Sequence, residues 1–425
     1  MNRLLLVLSL HIFSMHAKSI NVAAFTKENL FKSDNWIAEL NQMAMHGKLY
    51  NNVIGTSNQL LPLVSSYNGL CGIGHIAFED ATPVKQLTHL QRLFPNTSLW
   101  LKTEDISDVT GLYSGNKRRK LEFECAQALA QGAKTVITFG YAGSFHAVAT
   151  SEYAKRLGLN CICMLKPEIN AHVVRNNLLM HLYNGTQLHY SANNQDRKRD
   201  TIDLWFDYVR THEDAPYIIP TGGSSPRGTI GFVNAAFELK EQIDAGLLPI
   251  PDYIYVACGS VATTTGLLLG CKAAGLPIKI IAVAIEPEDS QDPLIPQIEK
   301  LFAKTNALLH ETDPSFPVCT LSDNDYEINR DFTGADYGLY TGEGNNAKNI
   351  FYETEQLKLD GSYTAKAAAA LLHDLQNGKC NGKKILFWHT YCAHDFSDRI
   401  KDLDYKKLPE CFHSYFEQDV QELDK

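Results

Sequence analysis

The 425-residue chain is 44% apolar and 20% charged, the composition of a soluble globular protein, and is long enough for two or three domains with separate cores. A net charge of −9, with no basic stripe interleaved with aromatic residues, argues against a nucleic-acid binder. The ten cysteines show no zinc-type pairing, and Cys161 and Cys163, two apart in an apolar run, read as core.

In chain order, Arg3 precedes an apolar run over 4–13, and Ser14-Met15-His16-Ala17 offers a small-residue cleavage site before Lys18. Residues 1–17 thus have the pattern of a secretory signal peptide, too short for a stable membrane span, and imply a periplasmic or secreted protein. An uncleaved N-terminal segment on a cytoplasmic protein is the alternative. Residues 18–80 read as an N-terminal extension, helical around Trp36-Ile37-Ala38-Glu39-Leu40 and without recognisable chemistry. Thr82-Pro83-Val84 turns into a short helix over 87–94, and Leu99-Trp100-Leu101-Lys102 reads as a strand.

The next stretch, Ser114-Gly115-Asn116-Lys117-Arg118-Arg119-Lys120, puts four cations in a row at the start of a helix, since Leu121, Cys125, Ala128 and Leu129 recur at helical spacing before Gly132. Cations there oppose the helix dipole unless an anion binds or one lysine is neutral. Arginine keeps its proton and lysine can lose it, so crowding by Arg118, Arg119 and Lys120 favours a neutral, nucleophilic Lys117. A solvated basic helix start remains the plainer reading.

Strands and helices then alternate. The apolar run 136–139 leads through the loop 140–144 into a helix over 146–157, and 161–165 is the next strand. Downstream, 217–220 leads into Gly222-Gly223-Ser224-Ser225 and a helix over 229–241. The strand 253–257 leads into Gly259-Ser260-Val261-Ala262-Thr263-Thr264 and a small-residue helix, and 278–285 is a further strand. This βαβ rhythm predicts an α/β protein with open, mostly parallel sheets flanked by helices. Two loops place Gly, Ser and Thr ahead of helix starts, where free N–H groups bind phosphate, although such loops also serve as ordinary turns and caps. Residues 286–331 read as an irregular acidic surface interval, 384–388 as a last buried strand ending at His389-Thr390-Tyr391, and the tail from Asp395 as charged and peripheral.

A lysine poised to be neutral, phosphate-sized loops and a parallel-sheet scaffold together suggest pyridoxal phosphate. The segments Gly115-Asn116-Lys117-Arg118-Arg119-Lys120-Leu121-Glu122, the loop 140–146, Pro220-Thr221-Gly222-Gly223-Ser224-Ser225, Gly259-Ser260, Tyr337-Gly338, Glu343-Gly344, Tyr363-Thr364-Ala365-Lys366-Ala367 and His389-Thr390 are collinear over three quarters of the chain. In that order they resemble the D-cysteine desulfhydrase and 1-aminocyclopropane-1-carboxylate deaminase family of fold type II pyridoxal-phosphate enzymes.

The resemblance implies two domains, a large cofactor domain from 81–120 and 220–400 and a small one from 121–219, with 401–425 as a tail, and it suggests a homodimer. Lys117 matches the Schiff-base lysine, with Asn116 beside it at the cofactor. Gly259, Ser260, Ala262, Thr263 and Thr264 stand at the phosphate cup, and Thr390 faces the pyridine nitrogen. Ser144 matches a residue at the substrate carboxylate and reacting carbon, with a helix cap as the plainer reading. Tyr337 matches an aromatic acid or base, or else a packed ring, and His146 resembles the desulfhydrase branch where deaminases have glutamine. The implied activity is sulfide elimination from D-cysteine or opening of the cyclopropane amino acid. This chain departs from the pattern at Phe145, where the family usually has asparagine, at Val261 and Ala262 in place of glycines, and at Tyr391-Cys392 in place of a glycine pair. Those departures keep open a non-catalytic protein binding an amino acid or the cofactor, and a racemase or dehydratase on the same scaffold is a further alternative.

Overall fold

The computed structural model describes residues 26–48, 81–105, 113–212, 214–287 and 293–425. The segment 1–17, taken above as a signal peptide, lies outside them, as do 18–25 and 49–80 of the extension. The described residues begin with α1 (Lys27–Lys32) and α2 (Trp36–Lys48), then β1 (Val84–Gln86), α3 (Thr88–Leu93) and β2 (Ser98–Thr103). The basic stretch opens α4 (Asn116–Ala130). There follow β3 (Thr135–Tyr141), α5 (Phe145–Arg156), β4 (Asn160–Lys166), α6 (His172–Asn184), β5 (Gln187–Tyr190), α7 (Asn194–Thr211) and β6 (Tyr217–Ile218). The chain continues through α8 (Pro226–Asp244), β7 (Tyr253–Cys258), α9 (Ala262–Ala273), β8 (Lys279–Ala284), α10 (Leu294–Thr312) and β9 (Tyr326–Asn329). It ends with α11 (Gly342–Glu355), α12 (Thr364–Gln376), β10 (Lys384–His389) and the short α13 (Ser397–Ile400) and α14 (Ser414–Glu417).

The strands form two sheets, one ordered β1-β2-β10-β7-β8-β9 and the other β5-β4-β3-β6. All neighbours pair in parallel except β1 with β2. Parallel strands need helical crossovers, which cover both faces and make the strands continuously apolar. β3 and β8 show that pattern, being buried nearly end to end. The two halves of the molecule, one per sheet, meet along α4, which packs on α8 of the six-stranded half and α5 of the four-stranded half.

Two readings are corrected. The interval 286–331 is not irregular throughout: it holds the 19-residue α10, buried through Ile298, Leu301, Phe302 and Leu309, and the edge strand β9. The tail is not a loose periphery, because Leu408, Phe412 and Tyr415 are buried in the core of the four-stranded half. The extension also docks there: Leu30, Leu40 and Ala44 pack with Ile137 and Ile162, and Asn41 pairs with both backbone groups of Ile218 at 2.8 Å. Among the described residues no helix is long and apolar enough to cross a membrane.

Candidate active site

The start of α4 hangs between the carboxyl ends of two strands, the usual ligand-binding edge of a parallel sheet. Gly115 N–H donates to Glu104 O at 2.9 Å, and Asn116 N–H donates to Thr390 O at 3.0 Å. Gly115, the N-cap, has φ 83°, and a Cβ there would lie 2.8 Å from Thr390 O, so the turn requires glycine. Lys117 follows, half-buried, with Nζ 5.8 Å from the centre of the Tyr363 ring. Burial lowers its pKa to about 8, while the carboxylate of Asp360 pulls the other way.

The expectation that neighbouring cations make Lys117 neutral is corrected, because the arginines are spent elsewhere. Arg118 pairs with Glu122 at 2.8 Å. Arg119 pairs with Glu104 at 2.6 Å and Glu238 at 2.9 Å, and Lys102 reaches Glu238 at 2.6 Å. Lys120 turns the opposite way. It is fully buried, donates to Gly222 O at 3.1 Å, and has no carboxylate within 4 Å among the described residues. Burial first, then the neighbouring Lys117, pushes its pKa well below the usual lysine range.

β7 ends at Cys258 and the cup loop follows. Gly259, Ser260, Thr263 and Thr264 line a small cavity together with Lys120 and Thr390. Asn116 Nδ2 donates to Thr263 Oγ1 at 2.9 Å, tying the lysine helix to the cup. Thr264 Oγ1 is buried without a hydrogen-bond partner. Ala262 is not brought into the cup: it is fully buried in the core, and its N–H is taken by Ser260 O at 2.8 Å. Val261 adopts the left-handed backbone, φ 56°, as the N-cap of α9. For a β-branched residue that costs about 1–2 kcal/mol. The second glycine loop buttresses the first, since Ser224 Oγ donates to Ser260 O and a Cβ on Gly222 would fall 1.9 Å from Ser260 Oγ.

On the other side of Lys117 opens a cleft of about 530 Å³, lined by Lys117, Ser144, His146, Ser260, Tyr337 and Tyr363 among others. Ser144 is indeed the N-cap of α5, its Oγ accepting from Ala147 N–H at 3.3 Å. Its hydroxyl proton is left available to a ligand. His146 Nε2 stands 2.9 Å from Thr138 Oγ1, which itself donates to Ile219 O. That chain assigns the proton to Nε2 and leaves the buried, unpartnered Nδ1 as an acceptor. Burial, with Lys117 and Lys120 adding to it, holds the imidazole neutral, well below its ordinary pKa.

Tyr337 stacks on Tyr141 with ring centres 3.8 Å apart and shares a 2.6 Å hydrogen bond with Tyr363. Burial raises its pKa far above the usual range, so its hydroxyl keeps its proton. Phe145 lines the cleft and packs edge-on against Tyr391, ring centres 5.3 Å apart. An aromatic wall therefore stands where the resemblance places an amide donor.

Sequence reasoning gave no site role to Tyr363, to Asp360 or to the N-terminal helices. Asp360 accepts from Ser362, Tyr363 and Thr364 N–H and from Thr364 Oγ1, setting the turn that presents Tyr363. The Asp-x-Ser-x-Thr capping pattern ahead of the alanine run was the signal. Asp34 and Ile37 also line the cleft, and nothing in the sequence pointed to them.

The donor set fits pyridoxal phosphate. A lysine of lowered pKa suits its aldehyde, while the buried Lys120 and the unsatisfied Thr264 hydroxyl at a helix start suit a phosphate dianion. The pattern of the family described as "Pyridoxal-phosphate dependent enzyme" matches residues 77–390. A D-cysteine desulfhydrase of Yersinia pestis (strain Pestoides F) is 32% identical over 318 residues, 73% of this chain and 91% of that protein. One of Serratia proteamaculans is 31% identical over 319 residues, with the same coverages. A solved structure described as an ACC deaminase homologue superposes with TM-score 0.65 at 28% identity, covering 77% of this chain and 95% of its own.

Proposed function

The chain belongs to the pyridoxal-phosphate dependent enzyme family, and from that premise we propose that it eliminates sulfide from D-cysteine, giving pyruvate, hydrogen sulfide and ammonia with uptake of one water. The observation that carries this reading is the convergence of Lys117, Ser144, His146 and Tyr337 on one cleft beside the cup. Bound there, pyridoxal phosphate supplies an aldehyde for the amine and an electron sink for the pair left when a Cα–H bond breaks.

The protein's own residues do the rest. Lys117, its pKa lowered to about 8, keeps a neutral fraction near pH 7 that can take the Cα proton. Ser144 donates its hydroxyl proton to the substrate carboxylate, since its lone pair already serves Ala147. His146, neutral, offers Nδ1 as an acceptor rather than a charge. Tyr337, still protonated at neutral pH and coupled to Tyr363, donates to the departing sulfur. Lys120, Thr263 and Thr264 would hold the phosphate, and Thr390 would face the pyridine nitrogen. Ring opening of 1-aminocyclopropane-1-carboxylate to 2-oxobutanoate and ammonia would use the same groups, a reading supported by the ACC deaminase homologue. His146 favours the sulfide reaction.

The test is to load the protein with pyridoxal phosphate, reduce with borohydride and map the labelled peptide. An adduct away from Lys117 sinks the proposal. Sulfide and pyruvate release from D-cysteine, set against L-cysteine and the cyclopropane acid, then chooses the reaction. The resemblance supports a homodimer, which light scattering tests. The apolar run 4–13 supports export, which fails if the mature protein still begins at Met1.

A further inference from the structure

The last eleven residues of the chain lie beyond the family match, which ends at residue 390, and they bond to both halves of the molecule. On the four-stranded half, Tyr415 Oη accepts from Glu168 N–H at 2.8 Å, and Tyr415 O accepts from Arg175 Nε at 2.7 Å and Asn170 Nδ2 at 3.0 Å. Asp424 accepts from His172 N–H at 2.6 Å. Gln421 holds that half through its backbone and reaches the other way through its side chain. Its backbone N–H donates to Asn170 O at 2.8 Å, its Nε2 donates to Gly338 O at 3.0 Å, and its Oε1 accepts from Tyr340 N–H at 2.8 Å. Asn345 Nδ2 adds a bond to Leu423 O at 2.8 Å.

One carboxamide thus satisfies a carbonyl and an N–H two residues apart, as a neighbouring strand would, and few side chains carry both a donor and an acceptor for this. The segment it grips follows directly on Tyr337. Gly338 has φ 76°, and a Cβ there would meet Glu168 Oε1 at 2.9 Å, so the turn is pressed against the four-stranded half and cannot take a side chain to anchor itself. Glu168 in turn accepts from Gly143 N–H at 2.7 Å, in the loop that presents Ser144. The gap between the Tyr337 segment and the Ser144 loop is therefore bridged by Glu168 and the tail together.

We propose that Gln421 is a positioning residue for the reaction: it fixes residues 338–340, and through them the Tyr337 hydroxyl, relative to Ser144 across the cleft. The role of Tyr337 rests on the function proposed above; the grip on 338–340 does not. A displacement of about 1 Å at a reacting group costs on the order of 100-fold in rate.

The experiment uses Gln421→Ala in the full chain. Hydrogen exchange read by mass spectrometry on cofactor-free protein should quicken at least about tenfold over 336–341, while β3 and β10 exchange as in the unchanged protein. With the cofactor loaded, kcat should fall about 10- to 100-fold with KM within about twofold. Unchanged exchange over 336–341, or unchanged kcat in an active protein, overturns the proposal. If the unchanged protein turns over none of the tested amino acids, the functional reading fails and the exchange result alone decides the grip. Should Gln421→Ala not fold, Gln421→Glu keeps the acceptor for Tyr340 N–H, loses the donor to Gly338 O, and is read the same way.

Discussion

The two faces of one helix start behave oppositely. Arg118 and Arg119 face glutamates and are neutralised by Glu122, Glu104 and Glu238, whereas Lys117 and Lys120, three residues apart and so on a common face, meet no carboxylate within 4 Å among the described residues. On the first face charge is matched inside the fold and serves stability. On the second it is left open to a ligand, and burial pulls both lysines toward their neutral forms. Consecutive identical charges in a sequence can thus be split by helix geometry into structural and chemical halves.

The contrast is tested most severely by Lys117→Ala, which should abolish turnover, a fall of about 1,000-fold or more, without unfolding the protein; assay and thermal melt read the two effects separately. Arg119→Met strikes the other face. It leaves Glu104 and Glu238 buried with less compensation and should cost about 3–5 kcal/mol in urea unfolding. A loss below about 1 kcal/mol would mean that the paired face is not structural. Lys120→Met gives up one hydrogen bond to Gly222 O, should cost little stability, and should weaken the affinity for pyridoxal phosphate by about tenfold or more in a fluorescence titration, since no carboxylate among the described residues pairs with that cation. The smallest effect concerns pH. A Lys117 pKa of about 8 leaves roughly one-tenth of the amine neutral at pH 7, so borohydride-trapped adduct formation should rise with pH to a half-point near 8. Asp360→Asn removes the carboxylate that raises this pKa and keeps a capping side chain, so the half-point should move down. An upward move would contradict the assigned cause.

Much of this was legible in the sequence. The alternation of apolar runs with glycine-punctuated helices located the sheets, and the glycine before Lys117 located the helix start. The partners of the arginines were not legible, because Glu104 and Glu238 lie 15 and 119 residues from Arg119 and become neighbours only through the sheet order. The helix over Leu294–Thr312 was legible and overlooked: Ile298, Leu301, Phe302 and Leu309 recur at helical spacing behind an acidic loop. Val261 marks a different boundary. Sequence propensity argues against a left-handed valine, and the fold imposes one at the cup. The approach of Asp34 and Ile37 to the cleft follows from docking onto the other half, for which the extension carries no local signal.

The sheet order has a consequence for how the protein is made. β10 lies between β2 and β7 although it is the last strand among the described residues, and Thr390 directly after it holds the amide of Asn116. During synthesis the strands of the four-stranded half are all made by residue 218, while Leu408, Phe412 and Tyr415, which complete its core, come much later. The six-stranded sheet stays split, β1 and β2 apart from β7 and β8, until residue 389 has been made. The lysine therefore reaches its final position only once residue 390 has been made, and a chain truncated before residue 384 lacks both the strand end that holds Asn116 and the core residues Leu408, Phe412 and Tyr415, so it should carry no assembled catalytic centre.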